Sequence, residues 1–134
     1  MFNLIKVKFH QTVDGISHFD ESDIIVGPGS KELIYLTMNV LEGTVILLSP
    51  AWPSYLPQAK LASKETLIIH RTFENDWKLT ATQLAEALTK NPVPPKSLLV
   101  FTSPDNPSKQ KTIKFKLYLI IAIFKPVLYT LRKN

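Results

Sequence analysis

The sequence predicts an α/β fold, a mostly parallel sheet with helices on both faces, and three observations carry that prediction. Apolar runs of strand length recur at residues 44–48, 66–70 and 97–102, with little internal alternation of polar and apolar positions. Segments with helical caps or helical spacing lie between them. The order along the chain is helix, strand, helix, strand, helix, strand. Continuous apolar runs suit strands covered on both faces, and strict alternation of the two element types suits parallel pairing.

The first helix is expected over residues 31–41. It follows the turn Gly27-Pro28-Gly29, with Ser30 standing where an N-cap belongs. Its apolar residues Leu33, Ile34, Tyr35, Leu36, Met38, Val40 and Leu41 surround most of the circumference, the pattern of a helix buried on more than one side. Gly43 suits its C-terminal stop. The strand at 44–48 carries Val45, Ile46, Leu47 and Leu48 in succession and ends at Pro50-Ala51-Trp52-Pro53. Ser54 is placed to cap a short helix running to about Ala62, with Pro57 tolerable because it falls in the first turn. After the strand at 66–70, Thr80 and Gln83 have capping-box spacing for a helix over 81–89. The proline-rich stretch 91–96 reads as a surface connection to the strand at 97–102. No internal repeat or low-complexity tract interrupts the pattern.

Composition narrows the function classes. The chain has 134 residues, enough for one domain, with 45% hydrophobic and 20% charged residues, which argues against long disorder. Cysteine is absent, so a disulfide framework, a thiolate metal site and a cysteine nucleophile are excluded. The formal charge is +5, yet residues 111–134 hold six basic residues and no acid, while residues 1–110 hold ten basic and eleven acidic ones. The basicity therefore belongs to the tail, and no basic face interleaved with aromatics marks a nucleic-acid binder. His10, His18 and His70 lack metal-ligand spacing, and Asp20, Glu21 and Asp23 read as a solvated loop, so neither a metal site nor a catalytic carboxylate pair is assigned. The N-terminus has no signal-peptide pattern. The apolar run at 117–124 is far shorter than the roughly 18–20 residues a membrane-spanning helix needs. A cytoplasmic location without a membrane partner is expected.

In open α/β sheets ligands sit beyond the carboxyl ends of the strands, and three motifs fall where that rule looks. Gly27-Pro28-Gly29-Ser30-Lys31 opens a helix; its glycines, free N–H groups, hydroxyl and ammonium suit a phosphate, although a plain turn with an N-cap has the same pattern. It is neither a Walker loop nor a dinucleotide fingerprint. Trp52, between two prolines, is either a packing residue or a ring for stacking on a planar ligand. Asn106, in a stiff turn with prolines at 104 and 107, is either a turn residue or a carboxamide aimed into the same region.

Taken together and in order, residues 24–33 (Ile24-Ile25-Val26-Gly27-Pro28-Gly29-Ser30-Lys31-Glu32-Leu33), 48–55 (Leu48-Ser49-Pro50-Ala51-Trp52-Pro53-Ser54-Tyr55) and 103–108 (Ser103-Pro104-Asp105-Asn106-Pro107-Ser108) resemble the class I/II, fold type I aminotransferases that use pyridoxal phosphate. Residues 77–88 resemble the helical segment between the last two motifs, and the likeness covers about residues 10–110. The resemblance implies part of the family's large domain, in an enzyme moving an amino group between an amino acid and a 2-oxo acid. The wording around residues 27–33 looks closest to the aspartate or aromatic amino-acid branch. The family is homodimeric. Carried over by position, Gly29, Ser30 and Lys31 fall on the loop that holds the cofactor phosphate, Trp52 on the ring that stacks against the pyridine, and Asn106 on the amide that hydrogen-bonds the cofactor's phenolic oxygen.

The departures bear on activity. The family continues past the Asn-Pro-Ser/Thr motif with a glycine, where this chain has Lys109, and then with the aspartate, the cofactor-bonding lysine and the substrate-gripping arginine. Residues 111–134 resemble none of that, and the lysines there take no catalytic role, so no catalytic residue is assigned. Residues 1–9 also diverge. The expected organisation is a divergent segment at 1–9, a partial aminotransferase large domain at 10–110, and an unrelated basic apolar tail at 111–134, of the kind a shifted reading frame produces. The tail is open to either strand or helix packing. Two functional readings follow: a truncated aminotransferase with part of the cofactor surface and no activity of its own, or a non-catalytic protein whose tail binds a membrane surface or a partner.

Overall fold

The structure, a computed structural model, describes residues 22, 25–103, 105, 107–108 and 117–124. The chain divides into two units, Met1–Leu33 and Ile34–Asn134, each taken by itself below. In chain order the elements are α1 (Ser30–Val40), β1 (Val45–Ser49), α2 (Tyr55–Leu61), β2 (Thr66–His70), a 3-10 turn (Phe73–Asn75), α3 (Ala81–Lys90), β3 (Lys96–Ser103) and β4 (Leu117–Phe124).

In the first unit, the turn at 27–29 runs directly into the start of α1. The Leu33 N–H donates to the Gly29 carbonyl at 3.2 Å, which makes Ser30 the first helical residue rather than the cap. The expected start is displaced by one position, within the usual fraying of helix ends. A Cβ on Gly27 would lie 2.7 Å from Leu33 Cδ2, so that glycine sits directly beneath the leucine side chain. Gly29 has nothing within 4 Å of the same position.

The second unit is built on a four-stranded sheet of order β2-β1-β3-β4. β1 pairs in parallel with β2, Val45 opposite Thr66 through Ser49 opposite His70, and in parallel with β3, Val45 opposite Leu98 through Leu47 opposite Val100. β4 pairs antiparallel with β3 over eight residues, from Lys96 opposite Phe124 to Ser103 opposite Leu117. The apolar part of the tail is therefore a strand.

Alternation along the central strands sorts the core into two layers. Val45, Leu47, Leu98 and Val100 face one side, where Met38 of α1 and Ala59 of α2 are buried against them. Ile46, Leu48, Leu99 and Phe101 face the other, joined by Ile69 and covered by Leu84, Ala87 and Leu88 of α3. Helices thus lie on both faces of a mostly parallel sheet, as the alternation of elements predicts. The α3 N-terminus has the full capping box: the Gln83 N–H donates to Thr80 Oγ1 at 3.1 Å and the Thr80 N–H donates to Gln83 Oε1 at 3.1 Å. Ser54 does not behave as expected. It is itself in the right-handed helical conformation, and its hydroxyl makes no cap hydrogen bond.

Gly43 also differs in its reason. Its backbone is not left-handed; instead a Cβ there would stand 2.1 Å from the Lys96 carbonyl oxygen and 2.8 Å from Ser97 Cα. Glycine is needed because the backbone entering β3 crosses directly over it. Ser97, fully buried at that crossing, donates to the Pro94 carbonyl at 2.7 Å and accepts the Thr44 N–H at 3.2 Å, so its hydroxyl is satisfied. The connection before it is at the surface, with Pro92, Pro94 and Pro95 exposed.

Candidate functional site

Parallel pairing brings the carboxyl ends of β1, β2 and β3 to one end of the sheet. The turns leaving those ends carry Pro50 and Trp52, Arg71, and Asp105 respectively. The β1–β2 ladder continues one step past the strands, where the Arg71 N–H donates to the Ser49 carbonyl at 2.8 Å. That bond fixes the root of the arginine beside the turn after β1.

The Arg71 side chain then reaches the turns after β1 and β3. Its Nη2 donates to the Pro50 carbonyl and to Asp105 Oδ2, the second bond a 2.7 Å ion pair with the two side chains 2% and 8% exposed. The carboxylate is satisfied from three directions: Arg71, the Ser108 hydroxyl at 2.6 Å on Oδ2, and the Thr102 hydroxyl at 3.0 Å on Oδ1. Charge-assisted bonds of this kind are short and directional, and burial shields the pair from salt. The result is a cross-brace joining the ends of three adjacent strands.

Trp52, two residues after the braced Pro50, is 41% exposed. Its carbonyl accepts the Tyr55 N–H at 3.2 Å, which ties it to the first turn of α2. Two-fifths of this large residue is open at the end of the sheet, unlike the buried residues of β1 before it. Trp77, by contrast, packs edge-on against Phe73 with ring centroids 6.3 Å apart.

Ser30 and Lys31 are both exposed at the first turn of α1, in the unit that ends at Leu33. The open space around Gly29 leaves room for an anion to approach the backbone there. Asn106 lies outside the described residues. Glu74, in the 3-10 turn after β2, has its carboxyl held below the ordinary range by its own backbone N–H and the Thr72 hydroxyl. No group of three histidine or acidic side chains able to hold a metal occurs among the described residues.

The brace was not legible in the motifs. Arg71 and Asp105 are 34 positions apart, and neither belongs to a spacing pattern. The available signal was one of placement: Arg71 is the only arginine outside the tail and stands immediately after an apolar strand, while Asp105 stands in the turn after the next one.

Comparison with known proteins places the fold. The family model for aminotransferase class I and II matches residues 5–110. The aspartate aminotransferase of Bacillus sp. (strain YM-2) is 36% identical over 98 residues, 71% of this chain and 24% of that protein. The Bacillus subtilis (strain 168) aspartate aminotransferase is 33% identical over 109 residues, 79% of this chain and 26% of that protein. Among solved structures, a Thermus thermophilus aspartate aminotransferase mutant superposes with a TM-score of 0.64 at 25% identity, covering 78% of this chain and 28% of that one. An aromatic aminotransferase from Pyrococcus horikoshii OT3 shares the fold, with a TM-score of 0.66 at 23% identity over 84% of this chain and 30% of that one. The chain spans about a quarter of the length of the curated relatives it matches. With the family model covering most of its length and the fold shared with solved aminotransferases, this chain belongs to the class I and II aminotransferases, and its sheet is part of the fold type I architecture.

Proposed function

We propose that these 134 residues carry part of a pyridoxal-phosphate-binding surface and do not transaminate on their own. The observation that carries the first half is the exposure of Trp52 just past the carboxyl end of β1, with its carbonyl bonded to the first turn of α2 and Pro50, two residues before it, bonded to Arg71. In this reading Trp52 stacks on the pyridine ring. Gly29, Ser30 and Lys31 take the phosphate through helix N–H groups, a hydroxyl and an ammonium, and Asn106 donates its amide to the phenolic oxygen. Taken separately, the two segments suit the two ends of the group: open space at Gly29 with exposed polar side chains beside it suits a phosphate, and a part-exposed tryptophan suits a planar ring. When bound, the cofactor supplies an electron sink for amino-group chemistry.

The second half rests on the sequence itself, since the 134 residues contain no counterpart of the family's cofactor-bonding lysine segment. The substrate pair proposed for the complete enzyme is an amino acid and a 2-oxo acid, with aspartate favoured by the names of the relatives. A cytoplasmic setting is in keeping with that reading. No helix among the described residues is long and apolar enough to cross a membrane. The pairing of β4 with β3 gives the apolar run of the tail a place in the sheet, which weighs against membrane docking as its role.

The test is a titration of the Trp77→Phe chain with pyridoxal phosphate, followed by Trp52 fluorescence. Saturable quenching, weakened by Lys31→Ala and Ser30→Ala, is expected, with no amino transfer from aspartate to 2-oxoglutarate above buffer. Absence of quenching overturns the binding half. Turnover with borohydride-stable labelling of one specific lysine overturns the other.

A further inference from the structure

We propose that the Arg71–Asp105 pair is a positioning device for Trp52, fixing the turn after β1 against the turn after β3 so that the indole is presented at a set angle to a planar ligand. This rests on the cofactor reading above, and the geometry of the pair is independent of it. Arg71 Nη2 binds the carbonyl of Pro50, two residues before Trp52, with one hydrogen and Asp105 with the other. Asp105 is in turn locked to β3 by Thr102 and to the following turn by Ser108. A shift of the turn after β1 therefore breaks a charge-assisted bond in a buried setting.

Stability alone is a poor reason for such a pair. Removing two charges from water costs roughly what their attraction returns, so apolar residues of like volume would serve the fold as well. What the apolar alternative cannot supply is direction. The planar guanidinium fixes the direction of the two hydrogens on Nη2, which meets both acceptors, and the acceptors lie in the turns after neighbouring strands. Lysine, one atom shorter and without the planar guanidinium, keeps the charge and gives up the reach and fixed direction by which one nitrogen meets both acceptors.

The experiment uses the full chain carrying Trp77→Phe, so that Trp52 is the sole tryptophan, with Arg71→Lys and Asp105→Asn added singly. Three quantities are read well below the melting temperature: far-UV circular dichroism, Trp52 anisotropy with acrylamide quenching, and quenching by pyridoxal phosphate. The expected result is an unchanged far-UV spectrum, lower anisotropy, greater acrylamide access to Trp52, and pyridoxal phosphate binding weakened about tenfold. Native spectra with Trp52 anisotropy and acrylamide access equal to the parent would overturn the proposal, leaving the pair a structural one. Loss of the fold in both variants would overturn it too, since the pair would then be a requirement of folding. If the parent itself shows no saturable response to pyridoxal phosphate, the cofactor reading fails, and the anisotropy and acrylamide arms still decide the positioning claim.

Discussion

β1 and β2 are sister strands in composition and opposites in environment. Val45–Ser49 reads VILLS and Thr66–His70 reads TLIIH, each five residues long, each parallel to its neighbour, each followed by a turn that contributes to the candidate site. In β1 the first four residues are buried, because β2 and β3 flank it and helices cover both of its faces. In β2 only Ile69 is buried. The strand is at the sheet edge, and its side-chain row of Thr66, Ile68 and His70 belongs to neither core cluster, with Ile68 38% exposed and His70 exposed. Apolar content thus makes a strand, and the position within the sheet decides what that content contributes.

The largest expected effect follows from the central strand. Ile46 has no exposed surface, lies opposite Leu67 on one side and Leu99 on the other, and packs under α3. Ile46→Ala should destabilise by about 2–5 kcal/mol, transfer and cavity terms combined. The urea midpoint is expected to fall with little change in slope, as for a change confined to the native state. A second way to strike the same strand is through its entrance. Gly43→Ala places a methyl group against the backbone of Lys96, which is not the yielding end of a side chain. A cost of about 1–3 kcal/mol is expected from the forced displacement of β3 relative to β1. Reversal of that loss by a further change at Lys96 is not expected, since the clash is with main-chain atoms.

These two positions also show what was legible. Among the described residues, each α-helix and each parallel strand is present in the sequence as a local pattern of capping signals, continuous apolar runs, and proline or glycine at the joints, whereas the 3-10 turn Phe73–Asn75 has no such signal. The Thr80–Gln83 box was visible because its partners are three residues apart. The crossing at Gly43, where residues 53 positions away approach within bonding distance, is not local, and a glycine there carries the same local signal as a helix stop. The Arg71–Asp105 brace was missed for the same reason, and the apolar tail, free to be strand or helix, was settled by an edge of β3 able to accept it. Ser54 failed as a cap because the turn after Trp52 had already entered the helical conformation. Local chemistry identifies elements; only the sheet order, β2-β1-β3-β4, brings distant polar groups together.

An intermediate effect is expected at the cover of the second layer. α3 lies over Ile46, Leu48 and Ile69, so it serves the central and the edge strand alike. Thr80→Ala removes the acceptor for the Gln83 N–H and leaves the helix to start without its reciprocal bond. About 1 kcal/mol should be lost. Hydrogen exchange should be the clearer readout, rising at the first turn of α3 while the amides of β1 stay protected, because the first helical turn opens below the energy of global unfolding.

The smallest expected effect is the sharpest test of the comparison. Ile68 occupies the middle of β2 as Leu47 occupies the middle of β1, and the two are register partners across the parallel pair. Their side chains project to the same face, yet Leu47 is 3% exposed and joined to Met38, Val45 and Leu98, whereas Ile68 has no place in that cluster. Ile68→Ala should therefore cost no more than about 0.5 kcal/mol, the ordinary range for a surface change. Ile68→Thr should cost no more than Ile68→Ala, because β-branching is kept and a hydroxyl at this site meets water. A loss comparable with that of Ile46→Ala, accompanied by dependence of the unfolding midpoint on protein concentration, would show that the outer face of β2 is covered in solution by a second copy of the chain. Edge and centre would then differ only in whose residues do the covering.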